Sequence, residues 1–214
     1  MQRTRFYSSV SHHYFTTKGR LINVAKNEVI ISPQEKTGYM YYIESGFVKV
    51  YTLSSAGHCN LLLIYGEGEF FPIQPFVDIG LHDELYYETK TSVSLYKVPA
   101  DQYADALTHS VEFLSDVLTQ TRIMVEIYRN TIESLQYRAL REQLISKILF
   151  LGWRFGSDRS VIEAPITHQD LADYLRTSRE SVSRAMKTLR DENLIEQMER
   201  RIVIKDRDKL LDEL

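Results

Sequence analysis

Residues Ile166–Arg190, ITHQDLADYLRTSRESVSRAMKTLR, decide how the rest of the chain is read. Thr167 followed by Asp170 has the form of a helix N-cap with an acid in its first turn. Leu171, Ala172 and Leu175 continue as a short apolar stripe at helical spacing. Thr177 and Ser178 break that helix, and Ser178 is placed to cap a second one. Val182, Ala185, Met186 and Leu189 then fall at i, i+3, i+4 and i+7, an inner face. Arg179, Glu180, Ser181, Ser183, Arg184 and Lys187 fall on the outer face. The pattern predicts a helix-turn-helix whose exposed side chains suit DNA. Arg donates two hydrogen bonds to O6 and N7 of guanine, and Glu accepts from N4 of cytosine. A recognition helix reads from near its own N-terminus, where Arg179, Glu180 and Arg184 lie. Thr167, Ser178, Ser181, Ser183 and Lys187 are expected at phosphates, with the helix N-terminus behind Ser178 favouring an anion. The plain alternative is a helical hairpin with a solvated charged face.

Leu194-Ile195 ends the helical pattern. Arg200 and Arg201 then precede Ile202-Val203-Ile204, a β-branched run that predicts a strand. A helix-turn-helix followed by a basic hairpin is a winged helix, whose wing meets phosphates through Arg200 and Arg201. The segment SRESVSR, Ser178 to Arg184, resembles the recognition helix of the CRP/FNR family of bacterial transcription regulators. The resemblance implies that Arg179, Glu180 and Arg184 contact the bases of a TGTGA-like half-site. It also implies a homodimer on a palindromic double-stranded site, with RNA polymerase as a further partner.

At 214 residues the chain is long enough for one large or two small domains with real cores. Apolar residues make up 43% of it, yet no apolar run approaches a membrane span. The opening stretch MQRTRFYSSVSHHYF lacks the apolar core of a signal peptide, so a cytoplasmic, membrane-free protein is expected. The one cysteine, Cys59, excludes an internal disulfide and a four-thiolate iron–sulfur cluster held by one chain. The formal charge of −3 argues neither for nor against DNA, because a local basic face suffices.

Residues 1–16 show no clean period and predict a loose arm or short helix. His12 and His13, side by side, cannot share one face and are expected to be solvated rather than metal ligands. From Arg20 the period becomes strand-like. Val29–Ile31, Tyr39–Ile43, Phe47–Tyr51 and Leu61–Tyr65 are separated by turn residues at Ser32-Pro33, Ser45-Gly46, Ser54–Gly57 and Gly66–Gly68. Short strands so spaced predict an all-β barrel or jelly roll. The runs Tyr42–Tyr51 and Gly68-Glu69-Phe70-Phe71 resemble the sensor β-roll of the same family.

Family members that bind cyclic nucleotides hold the ribose and phosphate with a Gly-Glu pair and an Arg-Ser or Arg-Thr pair. Here Pro72-Ile73 fills the first position, and Asp83-Glu84 falls near the second. Pro72 removes a backbone donor, and two carboxylates repel a phosphate. No Arg occurs between Arg20 and Arg122. Lys26, Lys36, Lys49, Lys90 and Lys97 are the cations left in that span. Cyclic AMP is therefore an unexpected effector, and no cofactor is identified. Asp78, His82, Asp83, Glu84 and Glu88 read as a solvated acidic loop rather than a metal site. His58, Cys59, His82 and His109 have no spacing that favours haem. Tyr86, Tyr87 and Tyr96 fit packing better than a ligand cage, while Phe70, Phe71, Pro72, Pro75 and Phe76 either line a pocket or close the roll. A cupin-like metalloenzyme needs a His-x-His pair, which is missing, as are a nucleophile elbow and a phosphate-cradling Gly-rich loop; no catalytic residue is assigned. The remaining alternative to a regulator is a DNA-independent signalling protein that kept the fold.

A long helix is expected from about Asp101 or Ser110. Val111, Leu114, Leu118, Thr121, Val125, Tyr128, Ile132, Leu135 and Ala139 alternate steps of three and four, the seam of a dimer coiled coil. Val117, Met124 and Ile127 lie off that seam and are free to face the roll. Leu140, Leu144, Ile148 and Leu151 predict another helix stopping near Gly152–Gly156. A strand-and-turn entry from Asp158 to Pro165 leads to the helix-turn-helix. The expected fold is α+β. A jelly-roll or cupin-like β-roll sensor spans 1–109, a dimerisation helix 110–137, and a winged helix-turn-helix 138–214.

Overall fold

The computed structural model describes residues 7–33, 38–72, 84–134, 136–156, 158–198 and 201–214. Ile73, Pro75, Phe76, Asp78, His82, Asp83, Leu135 and Arg200 lie outside those residues.

The chain opens on α1 (Ser9–Lys18). Ser8 caps it, accepting from the N–H groups of Val10 and Ser11 at 3.2 and 3.3 Å. Of the two alternatives the short helix is the one formed, and Phe15 anchors it with no exposed surface. His13 is exposed as expected, but His12 is not free in solvent. Its ring lies 5.8 Å from that of Tyr42, and its Nε2 is 3.3 Å from Glu44 Oε2. Successive residues of a helix point 100° apart, so only one of the pair meets the sheet.

Eight strands follow among the described residues: β1 (Arg20–Val24), β2 (Val29–Ile31), β3 (Tyr39–Ser45), β4 (Val48–Leu53), β5 (Cys59–Tyr65), β6 (Phe70–Phe71), β7 (Tyr86–Thr89) and β8 (Val93–Pro99). They make two antiparallel four-stranded sheets, in the orders β1-β8-β3-β6 and β2-β7-β4-β5. This is the β-roll. Gly46 turns β3 into β4 at φ +95°, and a Cβ there would stand 2.6 Å from the Ser92 carbonyl oxygen, so only glycine fits. Between the sheets, the Phe71 ring stacks on Tyr41 at 5.4 Å, Tyr65 at 5.5 Å and Tyr87 at 5.3 Å. On the other side of the first sheet, Phe15, Tyr42, Phe70, Tyr103 and Phe113 pack as one buried cluster. Their large ring areas supply most of the apolar burial that holds the first helix to the roll.

Of the two expected starts, the long helix takes the later one. Ser110, extended at φ −136° and ψ 112°, separates α2 (Ala100–His109) from α3 (Val111–Ser134). Its Oγ accepts the Phe113 N–H at 3.1 Å, so this serine stops one helix and caps the next. The seam also ends earlier than the heptad count runs. α3 stops at Ser134, and Ala139 is an extended N-cap of α4 (Leu140–Phe155), so Ala139 shares no helix face with Ile132. Within α3 the two apolar stripes separate. Phe113, Ile123 and Ile127 are buried, whereas Val111, Leu118, Val125 and Ile132 are 80%, 63%, 57% and 67% exposed. Met124 accepts a hydrogen bond from the Tyr65 hydroxyl at 3.8 Å.

Packing divides the chain into two compact units, one ending at Val125 and the other spanning Glu126–Leu214, a boundary inside α3. The second unit contains the end of α3, α4, β9 (Val161–Ile162), α5 (His168–Leu175), α6 (Arg179–Asp191), β10 (Ile195–Met198), β11 (Arg201–Ile204) and α7 (Arg207–Asp212). Its core is Leu144, Ile148, Ile162, Leu171, Val182, Met186, Leu189 and Leu210, all without exposed surface. Arg141 of α4 reaches Glu213, with its Nε 2.6 Å from Oε2 and Nη2 2.7 Å from Oε1, which pins the C-terminal end to α4. Among the described residues no helix is long and apolar enough to cross a membrane.

Candidate nucleic-acid interface

The start of α5 is built as the sequence implies. The Asp170 N–H donates to Thr167 Oγ1 at 3.1 Å, and the Thr167 N–H donates to Asp170 Oδ2 at 2.7 Å, a reciprocal capping box. Thr167 also gives its hydroxyl proton to Asp170. That proton is spent within the fold, so Thr167 fixes the entry of α5 and has only a lone pair left to face outward. The helix ends on Arg176, left-handed at φ 52° and ψ 46°, whose N–H donates to the Ala172 carbonyl. Thr177 N–H donates to the same carbonyl at 3.1 Å. A non-glycine residue at this geometry carries backbone strain on the order of 1 kcal/mol, held in place by the packing of both helices.

Ser178 then caps α6, its Oγ accepting the Ser181 N–H at 3.1 Å. Val182, Met186 and Leu189 are buried and Ala185 is half-buried, which is the inner face expected. Arg179, Glu180, Ser183, Arg184 and Lys187 are exposed, and Ser181 is half-buried. At 100° per residue the exposed five occupy an arc of about 140°. Among the described residues Arg179, Glu180 and Lys187 enter no ion pair, so their full hydrogen-bonding capacity faces outward. Arg184 directs Nη2 to Ser181 Oγ at 3.2 Å.

The wing is a three-stranded sheet in the order β10-β11-β9, with Ile195 opposite Ile204 and Met198 opposite Arg201. Arg201 is exposed and its Nη2 lies 3.0 Å from Glu163 Oε2. Such an exposed pair is weak and its cation can be redirected to a phosphate. Arg200 falls outside the described residues. His168 Nε2 lies 3.2 Å from Gln197 Oε1, tying the first turn of α5 to the wing. Sequence periodicity gave no signal for that contact, nor for the Ser181–Arg184 bond, because both depend on where a side chain points.

Lys36 lies outside the described residues; of the roll's described cations, Lys26 is exposed, and Lys49 and Lys97 are engaged. Lys49 Nζ lies 2.9 Å from Glu88 Oε1, while the other oxygen of Glu88 accepts the Tyr51 hydroxyl at 2.8 Å. Burial and this neighbouring carboxylate both push the Tyr51 phenol upward, so it stays protonated. Lys97 stands 4.1 Å from the centroid of the Tyr39 ring. Glu84 is exposed ahead of β7, and its partner in the expected acidic pair, Asp83, is not among the described residues.

A winged helix-turn-helix joined through a long helix to a β-roll defines a DNA-binding transcription regulator with a sensor-type domain. Comparison with known proteins agrees. The cyclic nucleotide-binding domain family matches residues 21–110, and the Crp-like helix-turn-helix domain family matches residues 142–213. The chain is 26% identical over 189 residues to the probable transcriptional regulator flp of Lacticaseibacillus casei, covering 88% of this chain and 84% of that protein. It is 25% identical over 190 residues to the global nitrogen regulator of a Nostoc species, covering 84% of this chain and 82% of that one. The structure of FixK2 from Bradyrhizobium japonicum superposes with a TM-score of 0.77 at 22% identity, covering 91% of this chain and 96% of that one. The chain belongs to the CRP/FNR family of transcription regulators.

Proposed function

We propose that this regulator is a cytoplasmic homodimer that reads a palindromic TGTGA-like site, one α6 entering each of two successive major grooves. The observation that carries this is the outer face of α6, where Arg179, Glu180 and Arg184 stand exposed at the N-terminal end of a capped helix. Arg179, Glu180 and Arg184 take the base edges. Ser178, Ser183, Lys187, Arg200 and Arg201 take phosphates, and Thr167 positions α5. The exposed stripe of Leu114, Leu118, Thr121, Val125, Tyr128 and Ile132 supplies the dimer seam. Thr121 suits it because its hydroxyl donates back to the Val117 carbonyl at 2.8 Å, leaving its methyl outward. RNA polymerase is the further partner that the family implies.

A gel shift on a TGTGA-N6-TCACA duplex against a scrambled one tests the reading of sequence. Arg179→Ala is expected to cost about 1–3 kcal/mol on the specific duplex and to relax choice at one guanine per half-site. Equal loss on both duplexes would reduce Arg179 to a phosphate contact. Arg201→Ala should instead weaken all sequences and lower the salt slope by about one unit.

The roll supports an uncharged or apolar effector, or a dimer already competent without one, rather than cyclic AMP. Phe71 and the three rings stacked on it put apolar surface between the sheets, and Lys49 is held by Glu88. Pro72 lacks a backbone N–H donor, and the sequence puts the carboxylates of Asp83-Glu84 where an anionic nucleotide needs a cation. An effector shifts the dimer only by its differential affinity for the two states. Calorimetric titration with cyclic AMP and cyclic GMP should give no binding heat and no tightening on the operator. Micromolar binding that enhances DNA affinity would overturn this part of the proposal.

A further inference from the structure

Glu180 and Arg184 are an i, i+4 pair with the acid nearer the N-terminus, the orientation that favours an ion pair along a helix. They do not form one. The Arg184 guanidinium instead donates Nη2 to Ser181 Oγ at 3.2 Å. That oxygen also accepts the Ser178 hydroxyl at 2.9 Å, while Ser178 Oγ takes the Ser181 N–H at 3.1 Å. Ser178, Ser181 and Arg184 are thus a short relay running from the cap of α6 to one of its base-reading side chains.

We propose that Ser181 is a positioning residue for base recognition: its hydroxyl holds Arg184 away from Glu180, so that both keep their hydrogen-bonding edges free for bases. This rests on the DNA-reading function proposed above, and it moves Ser181 from the set of phosphate contacts. The chemistry needs a neutral acceptor at this position. A guanidinium has five N–H donors in a fixed fork, so one bond to a hydroxyl leaves another edge for O6 and N7 of guanine. A bidentate pair with Glu180 would occupy that fork and also consume the carboxylate that accepts from cytosine N4. The tether further reduces the rotamers that Arg184 must give up on binding, so less ordering is needed at the interface. Ser181 is half-buried and its backbone N–H stays capped whatever its side chain is, so replacing it leaves the start of α6 intact.

The test compares Ser181→Ala with Ser181→Thr, which keeps the hydroxyl. Ser181→Ala should lower discrimination several-fold at the base pairs read by Arg184 and Glu180, leave affinity for scrambled DNA and the salt slope unchanged, and add nothing in an Arg184→Ala background. Ser181→Thr should restore discrimination. In the free protein, NMR should show the Arg184 guanidinium moving towards a Glu180 contact in the Ala variant only. A uniform loss on all sequences with a shallower salt slope would make Ser181 a phosphate contact and overturn the proposal. So would additive losses with Arg184→Ala, or an unchanged Arg184 signal. A wild-type protein that fails to distinguish specific from scrambled duplex would instead refute the DNA-reading function, while the NMR comparison would still decide the tether.

Discussion

Val125→Glu should leave the protein folded and turn it into a monomer with DNA affinity lower by roughly 10²–10⁴-fold. Val125 is 57% exposed on α3, midway along a stripe in which Leu114, Leu118, Tyr128 and Ile132 are also open to solvent. A stripe of this length at alternating steps of three and four is covered when two such helices meet. Near the two-fold axis of a symmetric pair, each Glu would face its own copy. Two carboxylates would then be buried against apolar neighbours at several kcal/mol each, with no cation to pair them. In the single chain the same carboxylate stands in water and costs little, so the defect belongs to association and not to folding. Thr119→Glu is the control, since Thr119 is exposed on the same helix away from the seam. It should sediment as a dimer and bind DNA as the wild type does. Affinity falls with the dimer because tethering two half-site contacts makes the second one intramolecular. A wild type that sediments as a monomer at micromolar concentration would remove the seam, and an undiminished Val125→Glu dimer would place the interface elsewhere.

What could be read in the sequence was whatever local periodicity and capping encode. The helix-turn-helix was legible because Thr167, Asp170 and Ser178 mark helix starts in their own side-chain chemistry, and Val182, Met186 and Leu189 mark the inner face. The strands Val29–Ile31 and Tyr39–Ile43 were legible as apolar runs between turn residues, although the second runs on to Ser45. β7 and β8 were not set out as strands, because Tyr86, Tyr87 and Tyr96 serve packing equally well in either state, and pairing with β2, β4, β1 and β3 decides the matter. The break at Ser110 was only half visible. Apolar residues resume beyond it, and the break rests on the extended backbone of Ser110, whose hydroxyl caps the start of α3. α7 went unanticipated, although Asp206 caps it through the Lys209 N–H at 3.1 Å. Helix spacing could suggest that Glu126 pairs with either Arg122 or Arg129, yet only geometry shows Arg129 shared between Glu126 and Glu133, at 2.7 and 2.9 Å. Least legible of all was the charge inside α4. Lys147 and Arg154 are buried there, and a cation in a helical run reads as a solvated face until the neighbours are known.

Lys147→Met should stabilise the second unit below pH 8 by about 1–3 kcal/mol and erase a rise in its stability between pH 8 and 10.5. Lys147 is 2% exposed. Its Nζ lies 3.4 Å from Asn130 Oδ1 at the end of α3 and 4.7 Å from the centroid of the Tyr174 ring in α5. No carboxylate pairs with it among the described residues. Burial therefore pulls its ammonium down from 10.5 to about 8, and the Arg154 cation pulls the same way. Below pH 8 the lysine is protonated in both folded and unfolded chains, and the cost of burying the charge is present in full. Between 8 and 10.5 the unfolded chain binds the extra proton, so stability climbs with pH; above 10.5 neither state is charged and the cost is gone. At about 1.4 kcal/mol per pKa unit, that window corresponds to roughly 3 kcal/mol. Met keeps most of the length and removes the charge. It also removes the ring contacts with Tyr174 and Phe150, worth about 1 kcal/mol each, which is why the net gain is smaller than the window. Urea unfolding at pH 7 and at pH 10.5 measures both quantities. A variant less stable than wild type at pH 7, with the wild-type rise towards pH 10.5 still present, would mean that Lys147 is not the group that titrates and that its contacts to Asn130 and Tyr174 outweigh its burial.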